Sequence, residues 1–174
     1  QDAAYHNGIV WTWLAGVWIE RATGYGMADL AFQVTENTVH QMLDRGAAGT
    51  ISELLDAAPR PGENEPRLSG TYSQAWSLAE FVRTFYQGYC GIRADAIGRR
   101  IELFPALPAA LGHVDADIAL GGESIHVAYT STADAIAVRC FSHTLREPIT
   151  LAFRWSLSPG MGRLAEVRLS PESE

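Results

Sequence analysis

Tyr5-His6-Asn7-Gly8-Ile9-Val10-Trp11-Thr12-Trp13 decides how this chain is read. From Ile9 onward the apolar residues are almost unbroken: Ile9, Val10, Trp11, Trp13, Leu14, Val17, Trp18 and Ile19. That density predicts a helix over 9–22, apolar nearly all round and therefore buried on several sides. Trp13 and Trp18 are assigned to its core. Tyr5, His6 and Asn7 stand just ahead of it, where side chains can face a site. Gly24 and Gly26 bracket Tyr25 and close the segment. A second helix is predicted over 27–45. Leu30, Val34, Val39, Met42 and Leu43 form its apolar stripe, and Asp29, Glu36, Asp44 and Arg45 its wet face.

Outward from there, residues 47–72 carry Pro59, Pro61, Gly62 and Pro66, which preclude a long helix. They read as one irregular loop of roughly 25 residues, a length associated with function or disorder. A third helix is predicted over 73–90, with Ser73 as its cap. Ala75, Leu78, Ala79, Val82 and Phe85 face the core, and Glu80, Arg83 and Gln87 face outward. After Gly91 the period changes. Ile101–Phe104, Val114–Leu120, Ser124–Tyr129, Ala135–Phe141, Ile149–Trp155 and Ala165–Leu169 read as short strands, with Gly121-Gly122 as a hairpin turn. Tyr129, Phe141, Phe153 and Trp155 are assigned to the core of that antiparallel half.

The 174 residues are 47% hydrophobic, enough for a sizeable core, and carry a net charge of −7. This balance argues against nucleic acid or an anionic membrane as partner. All thirteen basic residues are Arg, without any basic cluster. Residues 1–91 carry a net charge of −5 and residues 92–174 of −2. The division at residue 91 thus coincides with the change of period. Cys90 and Cys140 have no metal-ligand spacing and are expected to be buried free thiols. No apolar run approaches the roughly 20 residues a membrane helix needs. No secretory signal is recognised, so a cytoplasmic location is expected.

The chemistry concentrates in three places. The Tyr5–Trp13 block and Gly70-Thr71-Tyr72-Ser73-Gln74-Ala75-Trp76-Ser77-Leu78-Ala79-Glu80 both combine Trp with amide, imidazole or phenol groups. Between them, Glu53 sits among Ile51, Leu54 and Leu55. Indole platforms, planar hydrogen-bonding groups and a carboxylate are what glycoside chemistry uses. The plainer readings are a loop Glu in an acidic protein, a structural His6, and Trp76 as core. Other patterns carry nothing. Gly46-Ala47-Ala48-Gly49 is too short and lacks the Lys of a phosphate loop. His40, His113, His126 and His143 are scattered without zinc spacing, and no Gly-x-Ser-x-Gly elbow is present.

The ordered trio YHNGIVWTW (5–13), GTISELLD (49–56) and GTYSQAWSLAE (70–80) resembles the C-terminal part of bacterial and archaeal glycogen debranching enzymes of the amylo-α-1,6-glucosidase type. The likeness covers roughly residues 2–108. Thr12 replaces the family's usual Pro, and Thr71 its frequent Cys. The resemblance implies an α+β chain: residues 1–91 as the last helices of an (α/α)6 toroid-type barrel, and residues 92–174 as an antiparallel, sandwich-like β module. It implies inverting hydrolysis of α-1,6-linked glucose, with Glu53 as catalytic base. Tyr5, His6, Asn7, Trp11, Gln74 and Trp76 become sugar-binding residues, Trp11 by stacking and Gln74 alternatively by orienting Glu53. No cofactor or metal is implied. Glycogen or a branched α-glucan is the expected partner.

In that family the general acid comes from an earlier barrel loop, upstream of Gln1. The chain starts without Met, one step before its first motif, and is expected to be a piece of a longer enzyme, inactive alone. Processing of a natural N-terminus is the alternative. Asp2 and Glu80 stay open as acids within the chain, although Glu80 reads as an exposed helix charge. A cut piece would leave the first helix without partners, exposed or packed against a second copy. Other possibilities are a glucoamylase, a disaccharide phosphorylase (disfavoured by Glu53), or a non-catalytic glycan-binding or structural module.

Overall fold

The apolar run after Asn7 divides between a strand and a helix. The computed structural model describes residues 5–132, 135–158 and 161–171. Asp2, one alternative acid, lies outside them. Ile9–Trp11 forms β1, paired antiparallel with β2 (Leu54–Asp56) in the register Ile9↔Asp56 and Trp11↔Leu54. The helix predicted from residue 9 begins at Leu14 instead, as α1 (Leu14–Gly24). Adjacent β-branched and aromatic residues suit a pleated surface, and β2 supplies the ladder partner. Thr12 fastens the end of the strand: its N–H donates to the Glu53 carbonyl at 3.3 Å and its hydroxyl to the Ser52 carbonyl at 2.5 Å.

α2 (Ala28–Asp44) falls where a helix is predicted and packs on α1, but it buries Ala31, Thr35 and Gln41, and Leu30 and Leu43 of the predicted stripe are exposed. α1 buries Gly16, Ile19, Ala22 and Thr23. Trp18 is not core, being 43% exposed, and Val10 and Leu14 share its exposure. These three line a groove of about 620 Å³ between β1, α1 and α2, with Val34, Leu55 and Pro66. The apolar face expected to lack partners is therefore open.

Residues 47–72 are not wholly irregular. They contain β2 and β3 (Leu68–Ser69), and β1, β2 and β3 make one small antiparallel sheet. α3 (Ala75–Arg83) continues as a π-helical turn over Thr84–Tyr89. Ser73 does not cap it. Gln74 holds that position without a side-chain cap, and its N–H donates to the Ile51 carbonyl at 2.9 Å. Glu80 does not face outward either. It packs over Gly16, where a Cβ would come within 2.7 Å of its carboxylate. Arg83 pairs with Glu80 and with Glu20, both at 2.7 Å, and Arg93 reaches Glu20 at 2.6 Å. Half-buried charges need such partners, and Arg83 joins α3 to α1.

The second half adds β4 (Ile92–Asp95), β5 (Arg100–Leu103), β6 (His113–Leu120), β7 (Glu123–Ser131), β8 (Ile136–Phe141), β9 (Ile149–Ser158) and β10 (Met161–Leu169). They form two sheets, β10-β9-β5-β4 and β6-β7-β8. The chain is thus α+β, with mostly antiparallel pairing. β4 is an addition to the predicted strands, and β5 runs parallel to β9, with Ile101 opposite Leu151. The Gly121-Gly122 hairpin joins β6 to β7 as expected, with Gly121 at φ 63°.

One buried cluster spans the helices and sheets, from Ile19, Ala22, Ala31 and Tyr89 to Ile101, Leu103, Ile125, Val127 and Leu151. Tyr129 is fully buried and donates to the Cys90 carbonyl at 3.0 Å. Phe141 and Phe153 are half-buried. Trp155 is 40% exposed, contrary to its assignment. β5 ends opposite Phe153, so Trp155 lies beyond the strand that would cover it. Cys90 and Cys140 are free, and burial pushes both thiols up to about 11, which leaves them poor nucleophiles.

Glu123 links the sheets electrostatically. The Arg99 guanidinium at 2.7 Å and the Arg146 N–H at 2.6 Å hold its carboxyl down at about 2, from an ordinary 4.5. A depressed folded pKa gives stability that is fully present above 4.5 and lost as pH falls towards 2. Urea midpoints of wild type and Glu123→Gln should therefore differ at neutral pH and converge through that window. A gap independent of pH would contradict this assignment.

Candidate active site

Glu53 is placed by backbone before its side chain does anything. Its N–H donates to the Thr71 carbonyl at 2.8 Å, and its carbonyl accepts from Thr12. β1 and the turn ahead of α3 thus grip the residue from both sides, immediately before β2. The half-buried carboxylate is held at both oxygens. Tyr5 Oη donates to Oε1 at 3.2 Å, and the Thr71 N–H donates to Oε2 at 3.1 Å. Desolvation and the neighbouring carboxylate push the Tyr5 phenol up, so it remains a protonated donor.

Around this carboxylate the aromatic residues converge. Tyr5 meets Trp11 edge-on at 5.0 Å between centroids, and His6 edge-on at 4.8 Å. His6 stacks on Trp11 at 5.9 Å and 15°. Trp76, from the first turn of α3, lies 6.5 Å from Trp11. Trp11 is also pinned by its indole N–H, which donates to the Tyr5 carbonyl at 3.1 Å. Trp76 is 50% exposed, against the plainer reading of it as core, and Tyr72, four residues earlier, is 74% exposed. The open Trp76 ring and the fixed carboxylate, connected through Trp11 and Tyr5, can present a platform and a proton acceptor to a polyhydroxylated ligand.

The sequence candidates Tyr5, His6, Trp11, Trp76 and Glu53 are therefore neighbours, although 71 positions separate Tyr5 from Trp76. Asn7 is exposed in the turn ahead of β1. The Gln74 backbone is part of the frame, but no hydrogen bond joins its side chain to Glu53 among the described residues. The other acidic side chains of this region are engaged by cations. Asp56 pairs with Arg60, Glu63 with Arg67, and Glu65 with His40 and Arg45. Glu80 is committed to Arg83 and suits structure better than acid catalysis.

These residues fall inside one family match. The first 83 residues match the family model for Amylo-alpha-1,6-glucosidase. This stretch is similar to enzymes of the glycogen-debranching type. A comparison with curated proteins gives no match. Both departures from the amylo-α-1,6-glucosidase pattern have a physical account. Thr12 uses the backbone N–H that a Pro would lack. Thr71 contacts Glu53 through its backbone N–H, so a Thr in place of Cys keeps that contact.

The contact of the Gly70-Thr71 turn with Glu53 escaped the sequence reading because a backbone donor has no residue signature. The hint available was a Gly placed just before the Gln74–Trp76 block. Among the described residues, no group of three or more His, Cys, Asp or Glu side chains could hold a metal ion, and no helix is long and apolar enough to cross a membrane.

Proposed function

We propose that this chain supplies the catalytic base of an inverting α-1,6-glucosidase of the glycogen-debranching type. Glu53 deprotonates the water that attacks the anomeric carbon. His6, Asn7, Trp11, Gln74 and Trp76 contact the glucose unit. The single observation that carries the proposal is Glu53 held by two hydrogen bonds and connected through Tyr5 and Trp11 to exposed Trp76, within the family-matched residues. Inversion needs a second carboxyl roughly 6.5–9.5 Å away to protonate the leaving oxygen. We assign that acid to an upstream segment of a longer enzyme, as the family resemblance implies, with Asp2 as the in-chain alternative; the acidic side chains flanking Glu53 in sequence, together with Glu80, are engaged by cations. α1 to α3 would then be the last helices of an (α/α)6 barrel in a cytoplasmic enzyme acting on glycogen. The open face at Val10, Leu14 and Trp18 favours a covering by the rest of that enzyme or by a second copy.

The test is the anomer released from a branched α-glucan by the enzyme containing this chain, followed by proton NMR in the first minutes. β-Glucose is expected, and α-glucose would exclude a base role for Glu53. The 174-residue chain alone should release none. The exposure of Tyr72 and Trp76 also favours a second possibility, a glycan-binding module without catalysis. It predicts binding of the glucan and no effect of Glu53 on turnover.

A further inference from the structure

We infer that Gly70, through the turn it makes with Thr71, is a positioning residue for Glu53, acting opposite the Tyr5 hydroxyl. The inference rests on Glu53 being the base. Gly70 adopts φ 72°, a left-handed conformation that L side chains rarely take. That turn brings the Thr71 N–H to Glu53 Oε2 at 3.1 Å while the Thr71 carbonyl receives the Glu53 N–H at 2.8 Å. The hydrogen at Gly70 also leaves space that the Glu53 side chain occupies. A Cβ there would lie 2.6 Å from Oε2 and 2.9 Å from the Glu53 Cβ. The first atom is the mobile end of a side chain. The second is anchored by the backbone bonds to Thr71 and Thr12, so the added methyl swings the carboxylate out of its place and presses the turn against that anchor. On the far side, Tyr5 Oη fixes Oε1 at 3.2 Å. One carboxylate oxygen is thus set by a glycine turn and the other by a phenol, which fixes the plane presented to water. A base displaced by about 1 Å loses on the order of 100-fold in rate.

The experiment uses the whole enzyme containing this chain, with kcat and KM measured on a branched α-glucan for Gly70→Ala, Tyr5→Phe, Glu53→Gln and the pairwise doubles. Gly70→Ala should lower kcat by about 30-fold with KM within about threefold, and should have no further effect in the Glu53→Gln background, since residues acting through one group are non-additive. Tyr5→Phe should behave the same way with a smaller loss. If Gly70→Ala does not fold, the Tyr5→Phe cycle with Glu53→Gln decides. A loss in kcat that persists undiminished in the Glu53→Gln background would overturn the inference, as would kcat within twofold of wild type for Gly70→Ala or, where that variant does not fold, for Tyr5→Phe. Glu53→Gln at full turnover would instead remove the base assignment beneath it, so the two failures are distinguishable.

Discussion

Glu53→Gln in the enzyme containing this chain should lower kcat by about 1,000-fold while KM changes little. General base catalysis contributes roughly 10²–10⁴-fold, and an amide cannot accept the water proton. The substitution is nearly isosteric. Gln keeps an oxygen that can accept from Thr71 N–H or Tyr5 Oη, at 3.1 and 3.2 Å in the wild type. The backbone bonds to Thr71 and Thr12 are untouched, as is the packing of Trp11 against His6 and Trp76. Substrate binding should survive for that reason. A loss confined to kcat means that an interaction made only in the transition state has gone. Equal losses in kcat and glucan affinity would point to a binding residue instead, and unchanged turnover to the glycan-binding alternative. Calorimetric titration with a linear α-glucan separates the last two.

Gly91→Ala should be the most destabilising single-methyl change described here, costing more than about 4 kcal/mol, a size reserved for a short list of mechanisms. Gly91 is buried where the π-helical turn passes into β4, at φ 63°. A Cβ there would overlap the Phe104 carbonyl group outright. The obstruction is backbone, and that backbone is committed: the Phe104 N–H donates to the Gly91 carbonyl at 3.0 Å, next to the β4–β5 pair Ile92↔Leu103. Relief would require separating β4 from β5 at the edge of the buried cluster. Gly26→Ala is the control. Gly26 has φ 78° with nothing within 4 Å of its Cβ position. It should cost only the left-handed penalty, roughly 1–2 kcal/mol. Urea denaturation of the chain separates them. Equal losses would mean that backbone conformation, and not overlap, governs Gly91.

The parts of the candidate site were legible because they are residue types with distinctive chemistry. Glu53 between apolar neighbours, and Tyr5, His6, Trp11 and Trp76 in two short blocks, can be picked out before any fold is known. Backbone parts cannot. The Thr71 N–H and the space at Gly70 exist only once the turn has closed on Glu53. Exposure was also hidden, since an indole has the same apolar surface in a core or on a platform. Trp18 and Trp155 were assigned to the interior, as was Trp76 in its plainer reading, and each remains 40–50% exposed for want of a covering element.

By itself the sequence determined the element types that rest on local periodicity. α2, α3 and the Gly121-Gly122 hairpin between β6 and β7 are such elements, although the faces they bury are not the predicted stripes: α2 buries Ala31, Thr35 and Gln41, and α3 buries Ser77 and leaves Val82 exposed. Only tertiary structure decided Ile9–Trp11. A short apolar run satisfies a buried helix and a strand equally, and the choice fell to the strand because Leu54–Asp56, some 45 residues away in sequence, offers it a ladder. The same applies to the parallel pairing of β5 with β9 and to the ion pairs that draw Glu80 inward. Each depends on a partner that is distant in sequence, and local chemistry carries no record of it.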